Sequence, residues 1–220
     1  MNVHKTPESL KHVSIHAKGV DPRVKRTRQL LQQAFLELFR EKSFASITVQ
    51  DIAERATVNR ATFYAHFEDK YALLDSMIRE QFQQVVASEL PASPKWGIST
   101  LRVLIQTVFG FLGEVHSQCK STEGPDLISP RGQFDFLLGQ TVQQELYELL
   151  LTGLKQVSTV GAGRRVPVET IAMVMSWAIL GAAVQCSHGA KTISAEQMTE
   201  QVLIVITEGV ARLTPGLLVQ

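Results

Sequence analysis

Residues 48–70, TVQDIAERATVNRATFYAHFEDK, restrict this 220-residue chain more than any other stretch. Thr48 is placed as an N-cap, its hydroxyl free to take an orphan amide of a first helical turn. Ile47 before it and Ile52 four residues into the helix are spaced as a hydrophobic staple. Ile52, Ala53 and Ala56 then make one narrow apolar face, and small alanines suit a helix lying close to a neighbour. Val58 sits in a turn. Asn59 caps a second short helix that starts at Arg60, on which Phe63 and Phe67 are spaced i,i+4 and point inward. Asp69 caps a third helix with Lys70 as its first residue. The layout is helix, tight turn, helix, and the start of another.

That layout is the one by which a helix-turn-helix reads DNA. Phe63 and Phe67 fill the inside, so Arg60, Ala61, Thr62 and Ala65 are left on the outer face. Small residues there let the backbone approach base edges, and Arg60 and Thr62 can hydrogen-bond to them. Tyr64 and His66 flank that face with donors in reach of phosphate oxygens. By pattern alone Tyr64 fits a half-buried core position as well as a phosphate contact. His66 has no metal-ligating partner at Thr62 or Lys70, four residues either side. A lysine at a helix N-terminus opposes the dipole, so Lys70 makes sense beside a bound anion.

The run Thr62-Phe63-Tyr64-x-x-Phe67-x-x-Lys70-x-x-Leu73-Leu74 resembles the signature of the TetR (tetracycline-repressor, TetR/AcrR) family of bacterial transcription regulators. Thr48-x-x-Asp51-Ile52-Ala53-x-x-Ala56-x-Val58 is similar to the same family's second helix. The resemblance covers residues 24–80, about a quarter of the chain. It implies that Thr48, Tyr64, His66 and Lys70 contact the DNA backbone, and that Gln50, Arg60, Ala61, Thr62 and Ala65 face bases. This chain departs from the family at Thr57, where many members carry glycine; threonine adopts a left-handed cap less cheaply.

Around the reader, 22–42 predicts an amphipathic helix, with Leu31, Ala34, Phe35, Leu38 and Phe39 on one stripe, Pro22 in its first turn and Asp21 as cap. Phe44 closes the small core. Residues 1–20 are polar, without apolar periodicity, and read as a flexible basic arm or a solvated tail; no apolar run follows their charges, so they are not a signal peptide. Residues 1–70 hold 12 Lys/Arg against 8 Asp/Glu, net +4, and 71–220 are net −3, an asymmetry hidden in the whole-chain +1. A basic end adds salt-dependent affinity for phosphate.

The rest of the chain reads as helices at 69–90, 97–119, 132–158 (one helix or two joined), 167–188 and 195–213. Loops are expected at 120–131 and at the GAGRR turn, 161–165. No strand alternation, repeat or low-complexity tract is evident. The expectation is an all-α fold of about nine helices: a flexible arm (1–20), a helix-turn-helix DNA-binding domain (21–68) and a larger helical effector-binding and dimerisation domain (69–220).

Residues 171–184, IAMVMSWAILGAAV, are apolar all round except Ser176 and so read as a buried helix, too short a run to span a bilayer. The last helix carries Met198, Val202, Val205, Ile206, Gly209 and Leu213 on a stripe, and glycines 181 and 209 permit close approach. Pairing of 167–188 and 195–213 with their copies gives a four-helix homodimer interface, which the TetR resemblance also implies. One reading helix per subunit seldom suffices for operator affinity.

No phosphate-cradling loop or nucleophile elbow is present, and no enzyme, cofactor or metal is expected. Cys119 with His116, and Cys186 with His188, could converge on a metal, but they read better as core or pocket. By resemblance the larger domain binds a small molecule, with Phe109, His116, Phe134, Phe136, Tyr147, Trp177 and Cys186 as candidate lining; such a lining suits a hydrophobic or aromatic effector. The function expected is a ligand-responsive repressor that binds a palindromic double-stranded operator as a homodimer, in the bacterial cytoplasm at the nucleoid, with no membrane partner. The alternative is a DNA-binding regulator whose C-terminal domain docks a protein.

Overall fold

The computed structural model describes residues 21–91, 94–118, 130–157, 166–187 and 193–213. Among them lie eight α-helices, one 3-10 turn and no strand. The proposed arm (1–20), the expected turn at 161–165, Cys119 and His188 lie outside the described residues, as does most of the 120–131 loop.

Helix α1, Pro22–Glu41, begins where Asp21 accepts the Arg23 amide and buries Leu31, Ala34, Phe35 and Leu38. A 3-10 turn, Phe44–Ser46, drops Phe44 into the same core. Helix α2, Val49–Arg55, and helix α3, Arg60–Tyr64, follow. Helix α4, Lys70–Glu89, is capped by Asp69 and buries Leu73, Leu74, Ile78, Phe82 and Val86. Its first turns close the small N-terminal core and its later ones enter the larger bundle, where Phe82 meets the Phe111 ring at 5.3 Å.

The bundle comprises α5, Ile98–Gln118; α6, Pro130–Val157; α7, Val168–Ser187; and α8, Ala195–Leu213. Residues 132–158 therefore belong to one continuous helix, begun two residues early. α5 and α7 have the length and apolar content of a membrane span. The fold uses that apolarity for packing: α7 lies against α5, α6 and α8. Its inward side is Val168, Ile171, Ala172, Met175, Ser176, Ile179, Leu180 and Ala183. Burying a large aliphatic side chain stabilises by about 1.5–3 kcal/mol, so this one face outweighs any surface ion pair. Ser176, fully buried, donates to the Met173 carbonyl and receives Gln143 of α6 at 3.0 Å. Gly153 is required where it stands, because the Trp96 ring occupies the space of a side chain there.

Within one subunit α7 is covered on one face and uncovered on the other. Met173, Val174 and Trp177 are exposed, and on α8 so are Ile204 and Val205. A helix apolar all round has no preferred phase, and here one face packs on the bundle while the other is left to solvent. The inward stripe of α8 is Thr199, Leu203, Ile206 and Val210; of the stripe read from the sequence, Ile206 is buried, Met198 and Val202 are half-buried, and Val205 and Gly209 are exposed.

The turn between α2 and α3 keeps the geometry that glycine usually serves. Thr57 has φ 57°. Its amide donates to Glu54 O at 3.0 Å, and the Val58 amide to Ala53 O at 2.9 Å. These are the two bonds of a Schellman cap. A β-branched residue in the left-handed region costs roughly 1–2 kcal/mol. Thr57→Gly is expected to stabilise the protein by about 1 kcal/mol, raising Tm by roughly 2–4 °C in a chain of this size. Thermal unfolding by circular dichroism checks this; an unchanged or lower Tm would show that the threonine side chain compensates for its backbone.

Candidate nucleic-acid interface

The reading segment is held by caps that lie within three residues of what they satisfy. Thr48 Oγ1 accepts the Asp51 amide at 3.1 Å, and Asp51 accepts the Thr48 amide at 2.8 Å, a reciprocal capping box. Asn59 accepts the Thr62 amide at 2.7 Å and the Thr62 hydroxyl at 2.9 Å. Ile47 and Ile52, the staple pair, are both sealed in the core with Phe63 and Phe67. With Phe63 turned fully inward, Arg60, Ala61, Tyr64 and Ala65 are forced onto one exposed face of α3.

That face is contiguous and unencumbered by acidic side chains of α3. Arg60 lies 5.9 Å from the Tyr64 ring centroid and within 3.4 Å of its hydroxyl, so guanidinium and phenol extend outward together. Tyr64 is half exposed and its ring meets Phe63 edge to face, so it packs on the core while its hydroxyl reaches outward beside Arg60. Thr62 and His66 are half-buried. The Thr62 hydroxyl proton is spent on Asn59, leaving an acceptor for a base rather than a donor. Gln50 is exposed on α2, and its amide donates to Glu54 at 2.8 Å. Thr48 is exposed at the N-terminus of α2.

Lys70 has partners inside the protein that its sequence position does not announce. Its ammonium donates to the carbonyls of Phe44 at 2.9 Å, Ala45 at 3.1 Å and Ile47 at 2.9 Å. Each of the three carbonyls accepts from the one ammonium, which ties the start of α4 to the link between α1 and α2. The sequence hid this because the acceptors lie 23 to 26 residues away.

Supports that sequence reasoning missed surround the segment. Lys42 pairs with Asp51 at 2.7 Å. Arg55 grips Glu41 through both nitrogens, at 2.9 and 2.8 Å, and reaches Glu37 at 3.5 Å. Arg28 lies over the Phe67 ring at 4.4 Å. These basic residues therefore brace the reader, although charge counting alone would have assigned them to DNA.

The residues expected to line an effector site divide between the surface and the bundle. Phe136 is 66% exposed and Trp177 57% exposed; α6 and α7 turn these residues to solvent. Phe134 is buried against Phe39 of α1 at 5.1 Å, so it joins the bundle to the reader. Phe109 and His116 are buried in the bundle, and Tyr147 and Cys186 are half-buried at its margin. His116 Nδ1 donates to Leu112 O at 2.8 Å, and Nε2 faces Asp135 at 3.6 Å. Burial raises the Cys186 thiol above its ordinary value, which favours the unreactive thiol.

Comparison with known proteins places these features. Residues 31–77 match the family described as bacterial regulatory proteins, tetR family, and the resemblance read from the reading segment is thereby shown. A 70-residue stretch is 43% identical to the uncharacterized HTH-type transcriptional regulator YxbF of Bacillus subtilis. That stretch is 31% of this chain and only 18% of the Bacillus protein, so the chain spans under a fifth of the length of the curated relative it matches. The all-helical fold, an N-terminal helix-turn-helix followed by a larger helical domain, is shared more widely. A TetR-family regulator from Syntrophomonas wolfei superposes with a TM-score of 0.50 and 24% identity, over 87% of this chain and 98% of that one. The flavonoid-responsive regulator FrrA gives 0.55 and 17%, over 84% and 97%.

Two measurements test the site. Hydrogen bonds from Lys42 and then Thr48 hold the Asp51 carboxyl at about 2, below its ordinary 3.8. The unfolded carboxyl takes its proton first, so the stability this network gives is complete above pH 4 and is lost as pH falls towards 2. Asp51→Asn should remove that segment of the acid-unfolding curve and lower stability at pH 7. A variant with the wild-type acid profile would show the network to be idle. Separately, Arg60→Ala should relax base preference at one or two operator positions, by about 1–3 kcal/mol of discrimination; binding to an operator mutation panel reads this, and uniform weakening at all positions would contradict it.

Proposed function

We propose that this chain, carrying a tetR-family reading segment, is a ligand-responsive transcriptional repressor that binds a palindromic operator as a homodimer. The observation that carries the reading is the exposed face of α3. Arg60, Ala61, Tyr64 and Ala65 stand outward together because Phe63 and Phe67 are locked inward. Such a face has no other use in the packing, and its chemistry suits base edges flanked by phosphates.

The exposed faces of α7 and α8 support the second copy. Met173, Val174, Trp177, Ile204 and Val205 leave large apolar side chains uncovered. A side chain built at Gly181 or Gly209 would meet nothing within 4 Å, so both glycines face open space, where a second helix pair can approach closely. Two copies related by a two-fold axis present two α3 helices to successive major grooves, roughly 34–36 Å apart.

Responsiveness rests on how the bundle grips the reader. Phe134 of α6 packs on Phe39 of α1, and Tyr71 of α4 reaches Gln133 of α6 at 3.5 Å. An effector, of hydrophobic or aromatic character, that prefers a different tilt of α4 and α6 shifts the distance between the two readers. Operator affinity then falls by the effector's differential affinity for the two arrangements.

Selection of duplexes from a random library by the full chain tests the DNA reading. The expected product is a palindrome with half-site centres one turn apart; no enrichment above non-specific binding would refute it. Trp177→Glu tests the dimer. It should leave the helical content unchanged, shift the sedimenting species from dimer to monomer, and weaken operator binding by at least about tenfold. A dimer that persists would place the interface elsewhere.

A further inference from the structure

Thr57, at φ 57°, is the one residue other than glycine with a positive φ among the described residues. What the turn between α2 and α3 needs from it is backbone alone. The Thr57 amide donates to Glu54 O and the Val58 amide to Ala53 O, and a glycine would make both bonds without strain. The side chain offers the fold nothing in return, because it is exposed. Backbone strain of this kind gathers at binding sites, where the side chain that incurs it has a use.

The four threonines of residues 21–70 differ in what their hydroxyls do. Thr27 donates to Arg23 O at 3.0 Å, Thr48 to Asp51 at 2.7 Å and Thr62 to Asn59 at 2.9 Å. The Thr57 hydroxyl has no partner among the described residues. It is a donor left open to solvent, in the turn that delivers the reading helix.

Its place in the chain decides what such a donor meets. Thr57 stands three residues before Arg60, so the two Cα atoms are at most about 11 Å apart. Arg60 opens α3 and faces outward with Ala61, Tyr64 and Ala65. The major groove is about 12 Å wide and is walled by phosphates. A residue just outside the leading end of a helix seated in that groove stands at the wall and not over the floor.

We infer that Thr57 binds a DNA phosphate: held in the left-handed turn between α2 and α3, its exposed hydroxyl donates to one backbone oxygen at the edge of each half-site. The inference rests on the DNA-binding reading above. A hydroxyl is neutral, so the contact adds affinity and register without base preference and without releasing a counterion.

Three variants separate the hydroxyl from the backbone. Thr57→Val keeps the β-branch and removes the donor. Thr57→Ser keeps the donor. Thr57→Gly removes the donor and relieves the backbone. Operator affinity of the full chain is measured for each across salt concentrations, beside thermal unfolding. A hydrogen bond to a charged partner, made in both half-sites, predicts a loss of about tenfold or more for valine and for glycine. Serine should stay within about threefold of the wild type, and the slope of log affinity against log salt should not change in any variant. Glycine is the sharpest case, since it should unfold at a higher temperature and yet bind more weakly. Wild-type affinity in Thr57→Val would overturn the inference. So would a serine variant as weak as valine, which would assign the loss to packing and not to the donor.

Uncharged methylphosphonate linkages, placed one at a time along the edge of a half-site, locate the contact. At one position the substitution should weaken wild-type binding at least about threefold more than it weakens binding by Thr57→Val. An equal effect on both proteins at every position would also overturn the inference. A wild type that selects no duplex would refute the DNA-binding reading and this contact with it. A wild type that binds its operator no better than Thr57→Val removes the contact alone.

Discussion

Helix α4 is gripped on two sides, and the rest of the structure depends on that grip. Towards the reader, Arg28 of α1 donates to Ser76 at 2.7 Å and approaches Glu80 at 3.6 Å, and Gln32 donates to Glu80 at 2.9 Å. Towards the bundle, Arg79 and Gln83 both donate to Glu145 of α6, the latter at 2.7 Å, and Thr141 donates to Asp75 at 2.7 Å. Asp75, Arg79 and Gln83 recur every four residues, so they form one ladder along one face. The apolar face, Leu73 to Val86, fills what remains.

The magnitudes decide which of these contacts matter. The pairs on the outer surface, such as Lys155 with Glu169, are exposed on both sides and are worth at most about 1 kcal/mol. Glu145 is different: its side chain is only 11% exposed, and both its oxygens are answered from α4. An unanswered buried carboxylate is costly, so α4 and α6 cannot slide apart without stranding it. Any shift of α6 must therefore carry α4. Because Phe134 and Gln133 near the start of α6 already touch Phe39 and Tyr71, it must carry the reader as well.

What the sequence disclosed divides along the distance over which each interaction acts. The three caps Thr48, Asn59 and Asp69 were legible because each satisfies an amide within three residues of itself. Phe63 and Phe67 followed from helical spacing. Thr57 was recognised as a departure, and the chain adopts the left-handed turn in spite of it. Lys70, Lys42, Arg55 and Arg28 were not legible as braces, because a charge does not announce whether its partner is a phosphate or a carbonyl far along the chain. Trp177 and Phe136 were misplaced for another reason. The apolar run of α7 has no polar side to fix its phase, and Phe136 lies on a helix whose outward stripe, Gln133, Phe136 and Gln140, only the packing reveals.

In the function proposed above, the α3 face enters the major groove twice per dimer. Protection of guanine N7 from methylation on the selected operator measures this directly, since that atom lies in the major groove. Two protected patches, one helical turn apart and symmetric about the palindrome's centre, are predicted. Protection confined to one patch, or none at guanine N7 while the duplex stays bound, would contradict the account.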